Sequence, residues 1–521
     1  MKNRLFSLLA SMMLLPFFGG AGICWAGHIH PNSHIIYELN LYNFTAEGTL
    51  AAAEQRLDAI KDLGVDVVWL MPIHPRSKSD RIGKLGSPYA PADYTAVNPD
   101  FGTLDDLRHY VAAAHDRGMQ VWLDWVPNHT GTDNVWTKSH PEYYQQKGGA
   151  FVHPNNYGDV LQLNYGNTAL QDAMIAAMQY WIDEADVDGF RLDYVSSSAI
   201  PAAFFTKAID RLTHQPSGKE ITMMGEADMG NMDALRNTGW DYDYAWAFHT
   251  ALCDLGSGAT ANTKLKPACQ RLTDNAKYKS VSRMVYLTNH DQNYDKSLAA
   301  SFGGNVYAYT ALMMTLYGMP CIYNGQENGF LNDHKQDYFN RAVIDWNMRD
   351  DMMTSTLRVL GRLHHASAAL RDDDANRVGG VKYLDCNKAT CMAYVRTSPS
   401  SEGAGEVESV LVVLNLSNNA ITVTPSGVEA GTWQCVADSR TITTEPAPYD
   451  VQLSSAPEIT VGSKGFMVFS KGTDLSGIST PTIPLRDAAT YDLSGRRVSP
   501  SGSAGLGGSR IYISNGRKVV R

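Results

Sequence analysis

Basic residues are in deficit: 44 Lys and Arg stand against 54 Asp and Glu, a formal net charge of −10 over 521 residues. A chain without a positive field lacks the electrostatic footprint of a nucleic-acid binder, which leaves neutral or polar partners. Cysteine is sparse, seven in all, and no spacing among them resembles a metal-binding cluster. No internal repeat recurs along the chain, so a solenoid or propeller is excluded. Past the N-terminal segment no apolar run is long enough to cross a bilayer as a helix.

What is present is a large apolar share, 44% of residues with 10% aromatic, enough for a sizeable core spread over two or three domains. Lys2 and Arg4 precede an apolar run from Leu5 to Phe18, and small residues follow around Gly19 to Gly22. Too short for a span and followed by polar sequence, residues 1–26 read as a secretory signal peptide cut after Ala26. The protein is therefore expected to be exported to the periplasm, cell surface or medium. Cys24 suggests a lipoprotein alternative, which Ile23 disfavours because a small residue is wanted there. Export permits disulfides. Cys386 and Cys391 flank Asn387-Lys388-Ala389-Thr390, a hairpin tip by composition; pairing of the two and free buried thiols both stay open.

From residue 34 short apolar strands alternate with amphipathic helices. Ile35 to Leu39, Val65 to Leu70 and Gln120 to Asp124 read as strands, Leu50 to Leu63 and Thr103 to Arg117 as helices. Later strands are expected at Gly189 to Leu192, Thr222 to Gly225, Tyr244 to Phe248, Met284 to Leu287 and Met319 to Tyr323, with helices such as Thr168 to Glu184 between them. Eight such strands predict an α/β fold, a closed (β/α)8 TIM barrel over residues 27–372. One connection, about 130–166, is long, polar and rich in Tyr and Gly, and reads as a small insertion after strand 3. Leu357 to Leu370 reads as the last helix. Short strands with turn signals then predict a C-terminal antiparallel β-sandwich over 373–471. Residues 472–521 open as a Ser/Thr/Pro-rich linker and close on two strand-like runs.

Four stretches carry chemistry. In Gly189-Phe190-Arg191-Leu192-Asp193 the arginine and aspartate share a strand face, because side chains alternate with period two. A guanidinium there is expected to keep the carboxylate ionised, as a nucleophile requires. Asp124-Trp125-Val126-Pro127-Asn128-His129 follows the third strand, Gly225-Glu226 ends the fifth, and Asn289-His290-Asp291 ends the seventh. A glutamate in apolar company is expected to hold a raised pKa, suited to a general acid. Asp193, Glu226 and Asp291 would thus meet at one barrel mouth, where barrel enzymes keep their sites.

In this order the four stretches resemble the signature regions of the α-amylase family, glycoside hydrolase family 13. Supporting runs are Tyr37-Glu38-Leu39-Asn40, Trp69-Leu70-Met71-Pro72, Ser87-Pro88-Tyr89, Asn98-Pro99-Asp100-Phe101-Gly102-Thr103 and Gly318-Met319-Pro320, so that the likeness covers roughly residues 34 to 470. The resemblance implies a retaining hydrolase of α-1,4-glucosidic bonds in starch-like glucans. Asp193 is then the nucleophile, Glu226 the acid/base, and Asp291 the group that holds and distorts the sugar. Arg191 orients Asp193; His129, His290, Tyr89 and His74 contact sugar, while Trp125 either does so or packs under the insertion. Asp124 and Asn128 support the arginine and its loop. An exo-acting α-glucosidase or transglycosylase of the same family, and a catalytically silent carbohydrate-binding protein, remain alternatives. No cofactor is required. Calcium stays open, with Asn128 and a carboxylate such as Asp133 or Asp159 as ligands, because Tyr194-Val195-Ser196-Ser197 stands where many α-amylases carry Lys-His. A monomer is expected. The tail resembles the sorting domains read by the type IX secretion pathway.

Overall fold

The computed structural model describes residues 34–229, 232, 234–235, 237–274, 281–371, 380–398 and 407–476, together with short strands at 490–491, 497–498, 511–514 and 517–520. The expected signal peptide and most of the linker and sorting tail lie outside the described residues.

Eight strands close into a parallel barrel in sequential order. They are β1 Ile36–Leu39, β2 Val67–Leu70, β3 Gln120–Trp125, β4 Gly189–Leu192, β5 Thr222–Gly225, β6 Tyr242–Tyr244, β7 Ser282–Tyr286 and β8 Met319–Tyr323. Each of these strands is covered on both faces, which is why the runs read as near-continuous apolar sequence. Period-two alternation sorts the side chains. Ile36, Trp69, Trp122, Met224, Tyr244 and Met284 fill the barrel interior, while Tyr37, Val68, Leu123, Phe190 and Ile322 face the helices. The same parity sends Glu38, Asp124, Arg191, Asp193 and Glu226 inward, above that apolar floor. Gly189 is a close-approach glycine: a Cβ would lie 2.6 Å from the Thr222 carbonyl and 2.7 Å from the Trp122 ring.

The last helix is Asp351–Ala366 rather than Leu357 to Leu370, and two further expectations need correction. The sixth strand is Tyr242–Tyr244 rather than Tyr244 to Phe248, and the aromatic run after it is a helix, Trp246–Leu255. Its buried residues Phe248, His249, Leu252 and Leu255 recur at helical spacing, and that period overrides the β-propensity of the individual residues. The expected helix from Leu50 to Leu63 is two shorter ones, Leu50–Glu54 and Leu57–Asp62. Between them Arg56 has left helical geometry and lays its guanidinium 3.5 Å above the Trp346 ring.

The insertion after β3 is a ribbon of His129–Gly131 against Val160–Gln162, carrying a smaller hairpin and the helix Trp136–Ser139. Beyond the last long helix, Asp351–Ala366, the chain forms a six-stranded antiparallel sheet. One face of it, with Met392, Tyr394, Val412 and Val468, joins the barrel core. The other, with Leu411, Val413, Trp433 and Phe469, packs on the two-stranded ribbon Ile421–Val423 and Ile459–Val461. Cys386 and Cys391 are free thiols with sulfurs 3.4 Å apart. The terminal strands pair as a separate four-stranded antiparallel sheet.

Candidate active site

Arg191 is the hub of the barrel mouth. It sits on β4 directly beside Asp124 of β3 in the parallel register, fully buried. Its Nη1 donates to Asp124 Oδ1 at 2.9 Å and to Asp193 Oδ1 at 3.3 Å. Nη2 lies 3.0 Å from Glu226 Oε2, and Nε donates to the Tyr244 hydroxyl at 3.0 Å. One guanidinium thus faces three carboxylates. A buried cation is tolerable only with this degree of pairing, and the planar fork lets arginine serve several partners at once.

The backbone ladder continues past the formal strand ends and fixes the two acids at the mouth. Asp193 N–H donates to Trp125 O at 2.8 Å, and Glu226 N–H to Leu192 O at 2.9 Å. Tyr194, next in the chain, holds φ at +46°, a strained setting for a bulky residue. That setting aims its N–H at Glu226 Oε2, 2.7 Å away. Asp193 and Glu226 keep 14% and 16% of their side chains exposed at the mouth. Asp291 is nearly half exposed and lies 3.5 Å from His290 Nε2 and 3.4 Å from the Tyr338 hydroxyl. Asn289 caps the short helix His290–Asp295 by accepting from Gln292 N–H, which sets His290 and Asp291 in its first turn.

Charge in this cluster departs from the sequence expectation. Burial pushes the Asp193 carboxyl well above the usual carboxylate range, the charge of Glu226 pushes it further, and Arg191 opposes both. The guanidinium does not simply hold Asp193 ionised, because its charge is divided among Asp124, Asp193 and Glu226. Burial lifts Asp124 to about 6 despite Arg191 and His290. Burial alone would lower His290, but the carboxylates of Asp291 and Glu38 and the hydrogen bond to Glu38 carry it up to about 9.

The remaining candidates divide. Tyr89 joins the cluster: its hydroxyl donates to Asp124 Oδ2 at 3.0 Å, lies 2.8 Å from His290 Nε2, and its ring stacks on that of His290 at 5.2 Å. His129 borders the site, but Nε2 is 3.0 Å from the Tyr89 carbonyl and Nδ1 3.1 Å from Asn128 Nδ2. Burial holds it near 4, so it is a neutral ring whose nitrogens are engaged by protein. His74 is not brought to the mouth. It is 1% exposed and packed among Tyr94, Trp125 and Trp181, because the Met71-Pro72-Ile73 run carries it into the layer under the insertion. Trp125 is likewise sealed, stacked on Tyr94 at 5.1 Å.

The residues around Asn128 do not fit a calcium ion. Gln162 Nε2 donates to Asn128 O at 2.8 Å and to Asn128 Oδ1 at 3.2 Å, so an amide stands against the oxygens a cation would need. Asp133 Oδ2 accepts from the N–H groups of Lys78 and Ser79. Among the described residues no group of three or more His, Cys, Asp or Glu could hold a metal ion.

Sequence reasoning missed several participants. Glu38 stood in a supporting motif without a role, although a glutamate of inward parity in an otherwise apolar strand was the available signal. Tyr244 and Tyr338 had no local signal, since their hydroxyls reach Arg191 and Asp291 only through tertiary placement.

The description "Alpha amylase, catalytic domain" belongs to the family model that matches residues 28–159 and 143–377. A relative named alpha-amylase MalA, from Haloarcula japonica, is 26% identical over 418 residues, covering 76% of this chain and 57% of that protein. Trehalose-6-phosphate hydrolase of Escherichia coli is 26% identical over 370 residues, covering 57% of this chain and 65% of that protein. The chain thus spans less than two thirds of the length of either relative. Among solved structures, a noncanonic maltogenic alpha-amylase AmyB from Thermotoga neapolitana superposes with a TM-score of 0.68 at 25% identity, covering 84% of this chain and 98% of that one.

Proposed function

This chain belongs to the α-amylase family, and from that premise we propose that it is a retaining glycoside hydrolase cleaving α-1,4-glucosidic bonds in starch-like glucans and maltooligosaccharides. The observation that carries the reading is the single guanidinium of Arg191 spanning Asp193 and Glu226 at the open end of the barrel. Retaining enzymes need two carboxyls about 5–5.5 Å apart, against about 6.5–9.5 Å for inverting ones, and a shared guanidinium favours the close spacing. Double displacement requires an ionised Asp193 and a protonated Glu226 at the moment of attack.

In this mechanism Asp193 attacks the anomeric carbon through Oδ2, since Oδ1 faces Arg191. Glu226 presents Oε1 to the glycosidic oxygen, because Oε2 is engaged by Arg191 and the Tyr194 N–H. It gives its proton to the departing sugar and then takes one from water, so configuration is kept. Asp291, the most exposed of the three, meets sugar hydroxyls, with the stacked Tyr89 and His290 rings bordering the same subsite. Lys2, Arg4 and the apolar run behind them support an exported enzyme.

Incubation of the purified protein with soluble starch, maltoheptaose and maltose, following product lengths and anomeric configuration, tests the proposal. Rapid shortening of internal chains with α-anomeric products is expected. Glucose released singly from chain ends would transfer the reading to an exo-acting α-glucosidase, and inertness toward every substrate would leave a binding protein.

A further inference from the structure

We propose that Glu38 is a positioning residue for the cleft, a buried carboxylate on β1 that orients His290 and keeps its ring positively charged beside Asp291. The inference deepens the glycosidase reading and rests on it only for its kinetic consequences.

Glu38 is fully buried at the inner face of the barrel. A carboxylate there is costly unless paired. Oε1 lies 2.6 Å from His290 Nδ1 and accepts from the His290 N–H at 3.3 Å, while Oε2 has no hydrogen-bond partner. Glu38 therefore leans wholly on His290, ring and backbone. From His290 the contacts run on: Nε2 to the Tyr89 hydroxyl at 2.8 Å, that hydroxyl to Asp124 Oδ2 at 3.0 Å, and Asp124 Oδ1 to Arg191 at 2.9 Å.

Counting donors places a proton on His290 Nε2. Tyr89 has one O–H, and the carboxylate of Asp124 only accepts, so the tyrosine donates to Asp124 and must accept from His290 Nε2–H. A contact of 2.6 Å between Nδ1 and Glu38 needs a proton as well. The neighbouring carboxylates of Asp291 and Glu38, which raise His290, favour that proton on the ring, so both ring nitrogens carry hydrogen.

Other groups face the same ring. Asp291 lies 3.5 Å from Nε2 and favours the cation, whereas Arg191, from β4, disfavours it. Trp69 and Tyr338 meet the ring by their edges, and Cys321 and Tyr323 on β8 sit within the field of Glu38. Burial opposes the cation throughout. Of the two carboxylates that offset it, Glu38 alone is closed to solvent, so its contribution is least screened.

Two measurements test this on the full chain. The first is the histidine ring resonances of protein carrying isotope-labelled histidine, with His290 identified as the signal missing from His290→Gln. At pH 7.5 the parent is expected to show both ring nitrogens protonated, and Glu38→Gln a neutral ring. A neutral ring in the parent, or a charged ring in both proteins, overturns the inference. The second is kcat/KM against pH on maltoheptaose. In Glu38→Gln the alkaline limb should move down by about two pH units, with a loss of about tenfold at pH 8, while Glu38→Asp restores part of the shift. Superimposable profiles would also overturn it. Should Glu38→Gln not fold, the parent spectrum and Glu38→Asp still decide the matter. A protein without glycosidase activity but with the expected ring states would sink the proposed function and leave this inference standing.

Discussion

At the scale of the residue, the barrel mouth is governed by how one positive charge is shared. Arg191 touches Asp124, Asp193 and Glu226, so removing any one acid changes the field felt by the others. Replacing Asp193 by Asn keeps the shape and deletes the attacking oxygen. Starch hydrolysis by Asp193→Asn should fall by at least about a thousandfold with the melting temperature little changed; a variant with near-full activity would reassign the nucleophile. His74 calls for the opposite outcome. Its ring is packed among three aromatic rings, so His74→Ala should lower stability by about 2–4 kcal/mol at pH 7.5, read by urea unfolding, with KM for starch unchanged. Burial lowers its pKa to about 4, below the ordinary value of about 6.5. Between those values the unfolded chain takes up a proton that the folded chain refuses, so the parent loses stability as pH falls through that window. The penalty of His74→Ala should therefore shrink from pH 6.5 toward pH 4, and a penalty independent of pH would contradict the neutral buried ring.

At the scale of the element, the strands act as fixed carriers and the insertion as the adjustable part. Gln162 fastens the ribbon His129–Gly131 and Val160–Gln162 to the Asn128 loop through two hydrogen bonds from one amide nitrogen. Losing them leaves buried acceptors unmet, which costs about 1–3 kcal/mol. Gln162→Ala should melt earlier and be cut sooner by protease within residues 130–166. Because an amide rather than a cation makes this fastening, treatment of the parent with a chelator should leave activity and melting temperature unchanged, and a drop reversed by calcium would contradict that reading. The hairpin after Val381–Leu384 offers a second element-scale test. Cys386 and Cys391 fall at directly opposed positions by continuation of the register Leu384↔Ala393, and their tip is held to the barrel by Asn262 and Lys266. Oxidation by a low-molecular-weight disulfide should join the two sulfurs, reduce the reagent to two thiols, and lower the protein mass by two hydrogens. An unchanged free-thiol count after prolonged exposure would rule the bond out.

At the scale of the whole molecule, the C-terminal sheet is built into the barrel rather than hung from it. Its barrel-side face shares the main core, and the Tyr394 hydroxyl meets Thr315 at 2.6 Å. Arg358, on the helix Asp351–Ala366, pairs with Asp62 at the end of Leu57–Asp62 and with Glu445 beyond the strand Gly431–Asp438. Its side chain is 27% exposed, enough to moderate the value of each pair. Arg358→Ala should cost about 1–3 kcal/mol while the barrel and sheet still unfold in one transition; a separate early transition of the sheet would show that the shared apolar face does not couple them.

Much of this was legible along the chain. Short apolar runs located seven of the eight strands, and period two placed Arg191 and Asp193 on one face, because both are local properties of an extended backbone. The motif order gave the family resemblance before any coordinate. Where local signals competed, the reading failed: Trp246-Ala247-Phe248 suggested a strand by propensity, and only its burial on one face of a helix decided otherwise. The tertiary structure alone decided the rest. It sealed His74 beneath the insertion, divided the charge of Arg191 among three acids, set the Gln162 amide against Asn128, and brought Glu38 to His290 across 252 positions of sequence. Sequence specifies which faces are apolar and where the chain turns, but burial, charge sharing and donor count arise only when distant segments exclude water from the same space.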